Sequence, residues 1–256
     1  MPATRANPAR GLRPLALVLA AALMATACGR SQEQGRTVDL AASEPVSFSS
    51  ADGVKLEGRL FGDGPVGVVL AHMLPADQTS WWDFARKLSE DGYMALAFDF
   101  RGFCPGGDAG CSEGEKDIGA MWQDVVGAIG FLRSEGAIQV MVVGASMGGT
   151  ASLVAAAQDG VEVSAVVTLS APVGIGGLAA DANLLTRITA AKLFIAGTGD
   201  RFGAAEAAQR LYAQSPLPKR VEIVTSDDHG SDLLSGNQSG RIQTLILGYL
   251  DEHSEP

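Results

Sequence analysis

From residue 45 onward the chain alternates between two hydrophobic periods. Val46–Ser50 and Val54–Phe61 alternate apolar and polar residues around Ala51-Asp52-Gly53, which predicts two strands joined by an Asp-Gly hairpin turn. Val66–Ala71 and Tyr93–Phe98 are continuous apolar runs, the pattern of strands covered on both faces. Val140–Val143, Val163–Leu169, Lys192–Ala196 and Arg220–Val224 add four more. Between them the spacing turns helical. In Ser80–Asp91, Trp81, Phe84, Ala85 and Leu88 share one face, and Gly92 ends the run. Ile118, Met121, Val125, Ile129 and Leu132 do the same within Asp117–Ser134. Helices are also expected at Thr150–Ala157, Asp181–Ile188, Gly203–Gln214 and Gly240–Asp251. A hairpin-linked first pair followed by strands that alternate with helices predicts an α/β fold. It is one sheet of about eight mostly parallel strands with helices on both faces. No internal repeat and no second domain are visible, and 256 residues suffice for a sizeable core.

The head of the chain follows another pattern. Residues 1–14 are basic, with Arg5, Arg10 and Arg13 and no acid, and Leu15–Ala25 is an unbroken apolar run. At about 11 residues it is short for a bilayer span and fits a signal peptide, assigned to residues 1–27. Thr26-Ala27-Cys28-Gly29 resembles a bacterial lipobox, which implies lipidation of Cys28 and a membrane attachment through that anchor alone. Cleavage after Ala25-Thr26-Ala27 without an anchor is the alternative. Residues 28–44 are polar and read as a tether to a domain spanning 45–256. The formal charge is -10, and the basic head leaves the remainder more acidic still. An acidic body without a basic patch excludes a nucleic-acid partner.

Candidate chemistry centres on one stretch. Val140–Val143 runs into Gly144-Ala145-Ser146-Met147-Gly148 and then into an Ala-rich helix. Gly-x-Ser-x-Gly between strand and helix is the setting of a nucleophile elbow, whose tight turn demands small residues two before and two after the serine. The Met147 N–H would lie at a helix N-terminus, aimed where an oxyanion forms.

This order of elements, with the elbow after the fifth strand, resembles the α/β-hydrolase fold over about residues 45–252. Within it the chain is similar to the small capless serine esterases near dienelactone hydrolase and the bacterial carboxylesterases, although dienelactone hydrolase proper carries a cysteine nucleophile where Ser146 stands. The resemblance implies a triad in the order serine, acid, histidine. Of the 3 histidines, His229 follows the last strand, His72 precedes the nucleophile and His253 sits near the C-terminus. His229 is the expected base. Asp200, at the end of Lys192–Asp200, is the expected acid, with Asp227 and Asp228 too close to His229 to orient it. The loop His72-Met73-Leu74-Pro75 stands where relatives show His-Gly-x, which assigns the second oxyanion donor to Leu74, with Met73 as second choice. His72 is expected to bond loop backbone. Met73 and Trp81 are candidate pocket residues.

Asp99-Phe100-Arg101-Gly102 resembles the family's Asp-x-Arg-Gly loop. Cys104 and Cys111 follow it closely, and in an exported chain they are expected to pair. Only about 20 residues separate Ser170 from Lys192, where lidded relatives insert a cap, so an open site is expected. No metal cluster, phosphate loop or dinucleotide fingerprint appears, and no metal or cofactor is expected. These readings converge on an exported serine hydrolase acting on small-molecule or lipid-like esters. A thioesterase or peptidase-like hydrolase with the same triad is the alternative. A non-catalytic envelope-binding lipoprotein on this scaffold is the rival from another class. If Cys28 is the lipid site, intact-mass analysis of membrane-fraction protein will show acyl mass on an N-terminal peptide beginning at Cys28, and Cys28→Ser will release the protein without loss of hydrolase chemistry.

Overall fold

The computed structural model of the protein describes residues 40–254. The signal peptide, Cys28 and most of the tether lie outside them. The described chain forms an eight-stranded sheet and a separate two-stranded hairpin. β1 (Ser43–Ser49) and β2 (Lys55–Phe61) pair antiparallel, with Gly53 at φ 88° in the turn between them. β3 (Val66–Ala71), β4 (Met94–Phe98), β5 (Gln139–Ala145), β6 (Ala165–Leu169), β9 (Ala191–Gly197) and β10 (Lys219–Val224) are parallel to one another. The order across the sheet is β1-β2-β4-β3-β5-β6-β9-β10, and β2 meets β4 antiparallel. The hairpin is β7 (Gly174–Ile175) with β8 (Leu178–Ala179).

Two-faced burial explains the unbroken apolar strands. Val68, Leu70, Val143 and Leu193 point to one side, where α1 (Trp82–Glu90) and α6 (Ser239–Glu252) contribute Phe84, Leu88, Ile242 and Ile246. Val69, Leu96 and Val142 point to the other, against Met121, Val125 and Leu132 of α2 (Met121–Ser134). On that second side, α3 (Met147–Ala156), α4 (Ala182–Leu185) and α5 (Ala204–Gln214) cover Val166, Phe194 and Ala196. The period of two thus sorts each parallel strand between two layers of helix.

The structure departs from the sequence expectation locally. The first turn of the Ser80–Asp91 stretch is a tighter 3-10 turn, Gln78–Trp81, capped by the Asp77 carboxylate on the Thr79 N–H. The segment expected to be helical at Asp181–Ile188 holds only the single turn α4, capped by Asp181 on the Leu184 N–H. The β7–β8 hairpin was not expected. Its signal was present, a Gly176-Gly177 pair between two short segments, and both glycines take positive φ.

Two features secure the loops at one edge. Cys104 and Cys111 are joined as a disulfide. Arg101 lies buried between two carboxylates: its Nε and Nη2 donate to Asp124 of α2 at 2.7–2.9 Å, and its Nη1 and Nη2 to Asp52 in the β1–β2 turn. The Asp-x-Arg-Gly loop is thereby tied to the first hairpin and to α2 together. The Arg101 hydrogen bond pulls the Asp52 carboxyl down to about 2. Asp124 is fully buried. Arg101→Ala should therefore cost about 3–5 kcal/mol in urea denaturation, because it strands a buried carboxylate. Asp52→Asn should cost less at neutral pH. It should also remove an acid-side slope. With its folded pKa below the unfolded value, Asp52 supports stability above about pH 4, and that support is lost as pH falls toward about 2.

Candidate active site

Ser146 stands between β5 and α3 at φ 47°, ψ −115°, a conformation that non-glycine residues rarely hold. Its N–H donates to the Leu169 carbonyl of β6, and its own carbonyl accepts the Thr150 N–H, the opening bond of α3. Close packing enforces the turn. A Cβ on Gly144 would lie 2.5 Å from the Gly148 carbonyl oxygen, and one on Gly148 would lie 2.3 Å from the Ala71 carbonyl oxygen at the end of β3. Neither site admits a larger residue without a backbone shift. Met147 opens the helix, so its N–H belongs to the amides that have no partner inside α3.

His229 follows β10, and Asp200 follows β9, two strands that are neighbours. His229 Nδ1 and Asp200 Oδ2 are 2.7 Å apart, with the carboxylate side chain fully buried and the ring partly exposed. The second Asp200 oxygen, Oδ1, accepts the Phe202 N–H at 2.9 Å. Both oxygens are thus engaged and the ring is held edge-on, its Nε2 left free of the carboxylate. Asp228 instead accepts a bond from Ser226 Oγ at 2.7 Å, and Asp227 is exposed. Ser146 and His229 line the same cavity without a hydrogen bond between them, and such bonds commonly close only when substrate binds.

His72 is fully buried beneath the loop after β3. The Phe100 N–H donates to its Nε2 at 3.2 Å, so the proton sits on Nδ1, which donates to the Met73 carbonyl at 2.9 Å. Burial pulls the ring down to about 4, which keeps it neutral at neutral pH. Asp99, 3.8 Å from Nε2, is pushed up to about 6 by burial and accepts the Gln78 N–H and Nε2–H groups. The rings of Phe100 and Phe103 pack T-shaped with it, their centroids 4.9 and 4.6 Å from its own. Anchoring the Met73 carbonyl has a consequence one atom further on. Across the trans peptide the Leu74 N–H points the opposite way, away from the buried ring. Leu74 lines the cavity beside Ser146.

That cavity has a volume of about 380 Å³, and Ser170, Ile175 and Phe202 also line it. Met73 borders an adjoining cavity instead. Trp81 borders neither. It is fully buried against Phe84 in the core, so the pocket role expected of it is not its position here. Most of the remaining lining residues escaped the sequence reading, and two of them stand out. Phe202 is 64% exposed, with its ring 4.7 Å from that of His229. Ser170 has φ 55°, and its buried hydroxyl has no hydrogen-bond partner among the described residues. An exposed phenylalanine has no signature in a linear sequence; its position two residues after Asp200 was the available hint. Among the described residues, no group of His, Cys, Asp and Glu is placed to hold a metal ion.

Known proteins share this architecture. An esterase from Pyrococcus furiosus superposes with a TM-score of 0.70 at 18% identity, covering 83% of this chain and 91% of that one. A dienelactone hydrolase from Anabaena variabilis gives 0.67 at 21% identity, covering 84% and 100%. The esterase domain of a Rhodothermus marinus protein gives 0.63 at 21% identity, covering 81% and 97%. At these identities the likeness is one of fold. Comparison with curated protein sequences finds no match. Residues 67–217 match the alpha/beta hydrolase fold family, more than half of the chain. With the sheet order and the strand–serine–helix turn described above, that match shows that the chain belongs to the alpha/beta hydrolase fold family.

Proposed function

We propose that the protein is an exported, membrane-anchored serine hydrolase that cleaves carboxylic esters through an acyl-enzyme on Ser146. One observation carries the reading: the 2.7 Å Asp200–His229 pair opens onto the same cavity as a serine held at positive φ. His229 Nε2 takes the proton of Ser146 Oγ as the oxygen attacks the acyl carbon. The Met147 and Leu74 N–H groups hold the resulting oxyanion. Asp200 fixes the ring tautomer and stabilises the imidazolium. Collapse breaks the bond to the alcohol, which leaves with the proton from His229. Water then gives a proton to His229 and attacks the acyl carbon, and the acid departs as the proton returns to Ser146. Esterases among the similar folds favour esters over thioesters and peptides as the bond cleaved. A strained serine beside a carboxylate-held histidine favours catalysis over a purely binding role, since binding needs neither.

A fluorophosphonate should label the purified domain on Ser146 alone. Ser146→Ala should lower kcat on a short-chain aryl ester by roughly 10³-fold or more, and His229→Ala by about as much. Asp200→Asn should cost less than either yet still orders of magnitude. The double variant Ser146→Ala/His229→Ala should be no slower than the single variants, as expected of groups that share one task. A folded Ser146→Ala protein with full activity would place the chemistry elsewhere.

A further inference from the structure

The cleft beside His229 has two arms. The first is the cavity of about 380 Å³ that contains Ser146, and its remaining walls are largely apolar: Leu74, Pro172, Ile175, Phe202, Ala204 and Ala207. The second, also of about 380 Å³, has Met73 and Pro75 on one border and the charged residues Arg201, Asp227, Asp228 and Asp232, which the first lacks, on the rest. Leu74, Phe202 and His229 border both, whereas Ser146 borders only the first. Phe202 is well placed to be the partition. Its N–H is held by Asp200, its ring lies beside that of His229, and the Arg201 guanidinium sits 4.8 Å from the ring centroid.

The reaction proposed above distinguishes the arms. The acyl group stays bonded to Ser146 Oγ throughout the intermediate, so it must rest in the arm that Ser146 borders. The alcohol must receive a proton from His229 and depart without crossing the acyl chain. Water must then arrive at the position the alcohol has left, next to the same imidazole. An arm with charged residues on its border, reached past His229, serves both steps. We propose that esters bind in one direction, with the acyl chain against Ile175 and Phe202 and the alcohol in the arm bordered by Arg201, Asp227, Asp228 and Asp232. The substrates are then apolar-acyl esters of hydrophilic, non-anionic alcohols.

Ile175 sets the reach of the acyl arm. It stands on β7, and the turn behind it is pinned: a Cβ on Gly176 would lie 2.8 Å from side-chain atoms of Ile118. The volume is at the small end of the 300–1,000 Å³ usual for small-molecule pockets, so chain length should matter. Each methylene that still fits should raise kcat/KM by about fourfold, the effect of burying one CH₂, until the arm is full. An anionic alcohol would meet a border of net negative charge, three acidic residues against one arginine.

The proposal rests on the ester hydrolase reading, and the test separates the two. Ethyl octanoate and octyl acetate are isomers that exchange the long and short sides of the ester. Wild-type protein should favour ethyl octanoate by about tenfold or more in kcat/KM. Ile175→Trp, which fills the acyl arm, should lower turnover of ethyl octanoate by about tenfold while leaving octyl acetate within about twofold. Ile175→Ala, which leaves the fold unburdened, should move the optimum to longer acyl chains. Phe202→Ala should bring the two isomers together by merging the arms. Butanoylcholine should exceed the butanoyl ester of glycolate by about tenfold at low salt, the gap narrowing as salt screens the arm. If Ile175→Trp instead impairs octyl acetate and spares ethyl octanoate, the direction is reversed and the proposal fails. If fluorophosphonate labels Ser146 while neither isomer is turned over, the substrate class is wrong and the serine hydrolase reading stands. If Ser146 is neither labelled nor needed for the turnover of any ester, the underlying reading fails.

Discussion

The site depends on a backbone contact. The end of β3 and the start of α3 approach so closely that the Ala71 carbonyl oxygen occupies space where any side chain on residue 148 would begin, at 2.3 Å from the Cβ position. The contact has two effects. It forces the tight turn that holds Ser146 at positive φ, and it presses the first turn of α3 against the root of the His72-Met73-Leu74 loop. Ser146 and the start of the Met73-Leu74 loop are thus registered by one steric constraint, with no flexible side chain between them. Main-chain contacts of this kind are stiff, because a packed interior cannot yield by fractions of an ångström without opening elsewhere.

Parallel neighbours in the sheet supply the rest. β3, β5, β6, β9 and β10 run the same way, so the loops carrying Leu74, Ser146, Ser170, Asp200 and His229 all emerge at one edge. Residues spread over more than 150 positions are gathered within a few strand spacings, at the carboxyl ends where open α/β sheets bind ligands. Buried polar groups set the loops on that edge. His72 donates to the Met73 carbonyl and accepts from Phe100; Arg101 ties its own loop to α2 and the first hairpin. The same loop carries Phe103 against His72 and leads into the Cys104–Cys111 disulfide, so a chain of contacts runs from the disulfide to the loop after β3.

The two positive-φ residues other than glycine are Ser146 and Ser170, among the described residues, and both line the cavity with Ser146 in it. Strain confined to one cavity indicates that the surrounding packing, and no local preference, sets these conformations. The walls above them are short: the two-residue strands β7 and β8 stand where a cap would be inserted, and Phe202 rises opposite from the loop after β9. A cleft walled by so little is open to solvent, and few side chains stand over it.

Much of this was legible in the linear chain. All eight sheet strands were legible: the central ones because a strand buried on both faces must be apolar throughout, the first pair from its Asp-Gly turn, and the edge strand β10 from Val221, Ile223 and Val224 set among charged residues. Ser146 was legible because the elbow compresses a three-dimensional requirement into five consecutive residues. Asp200 and His229 could be named from their places after particular strands, given the fold that those strands implied. Trp81 shows the limit. It falls in the 3-10 turn ahead of α1, and only packing decided that its ring turns into the core against Phe84. The structure likewise revealed the position of Phe202 on the border of two cavities and the burial of the Ser170 hydroxyl. Local sequence determines secondary structure and sharp turns because their causes lie within a few residues. The direction in which a side chain points across a cleft depends on what stands opposite, and those neighbours are distant in the chain and adjacent only once it has folded.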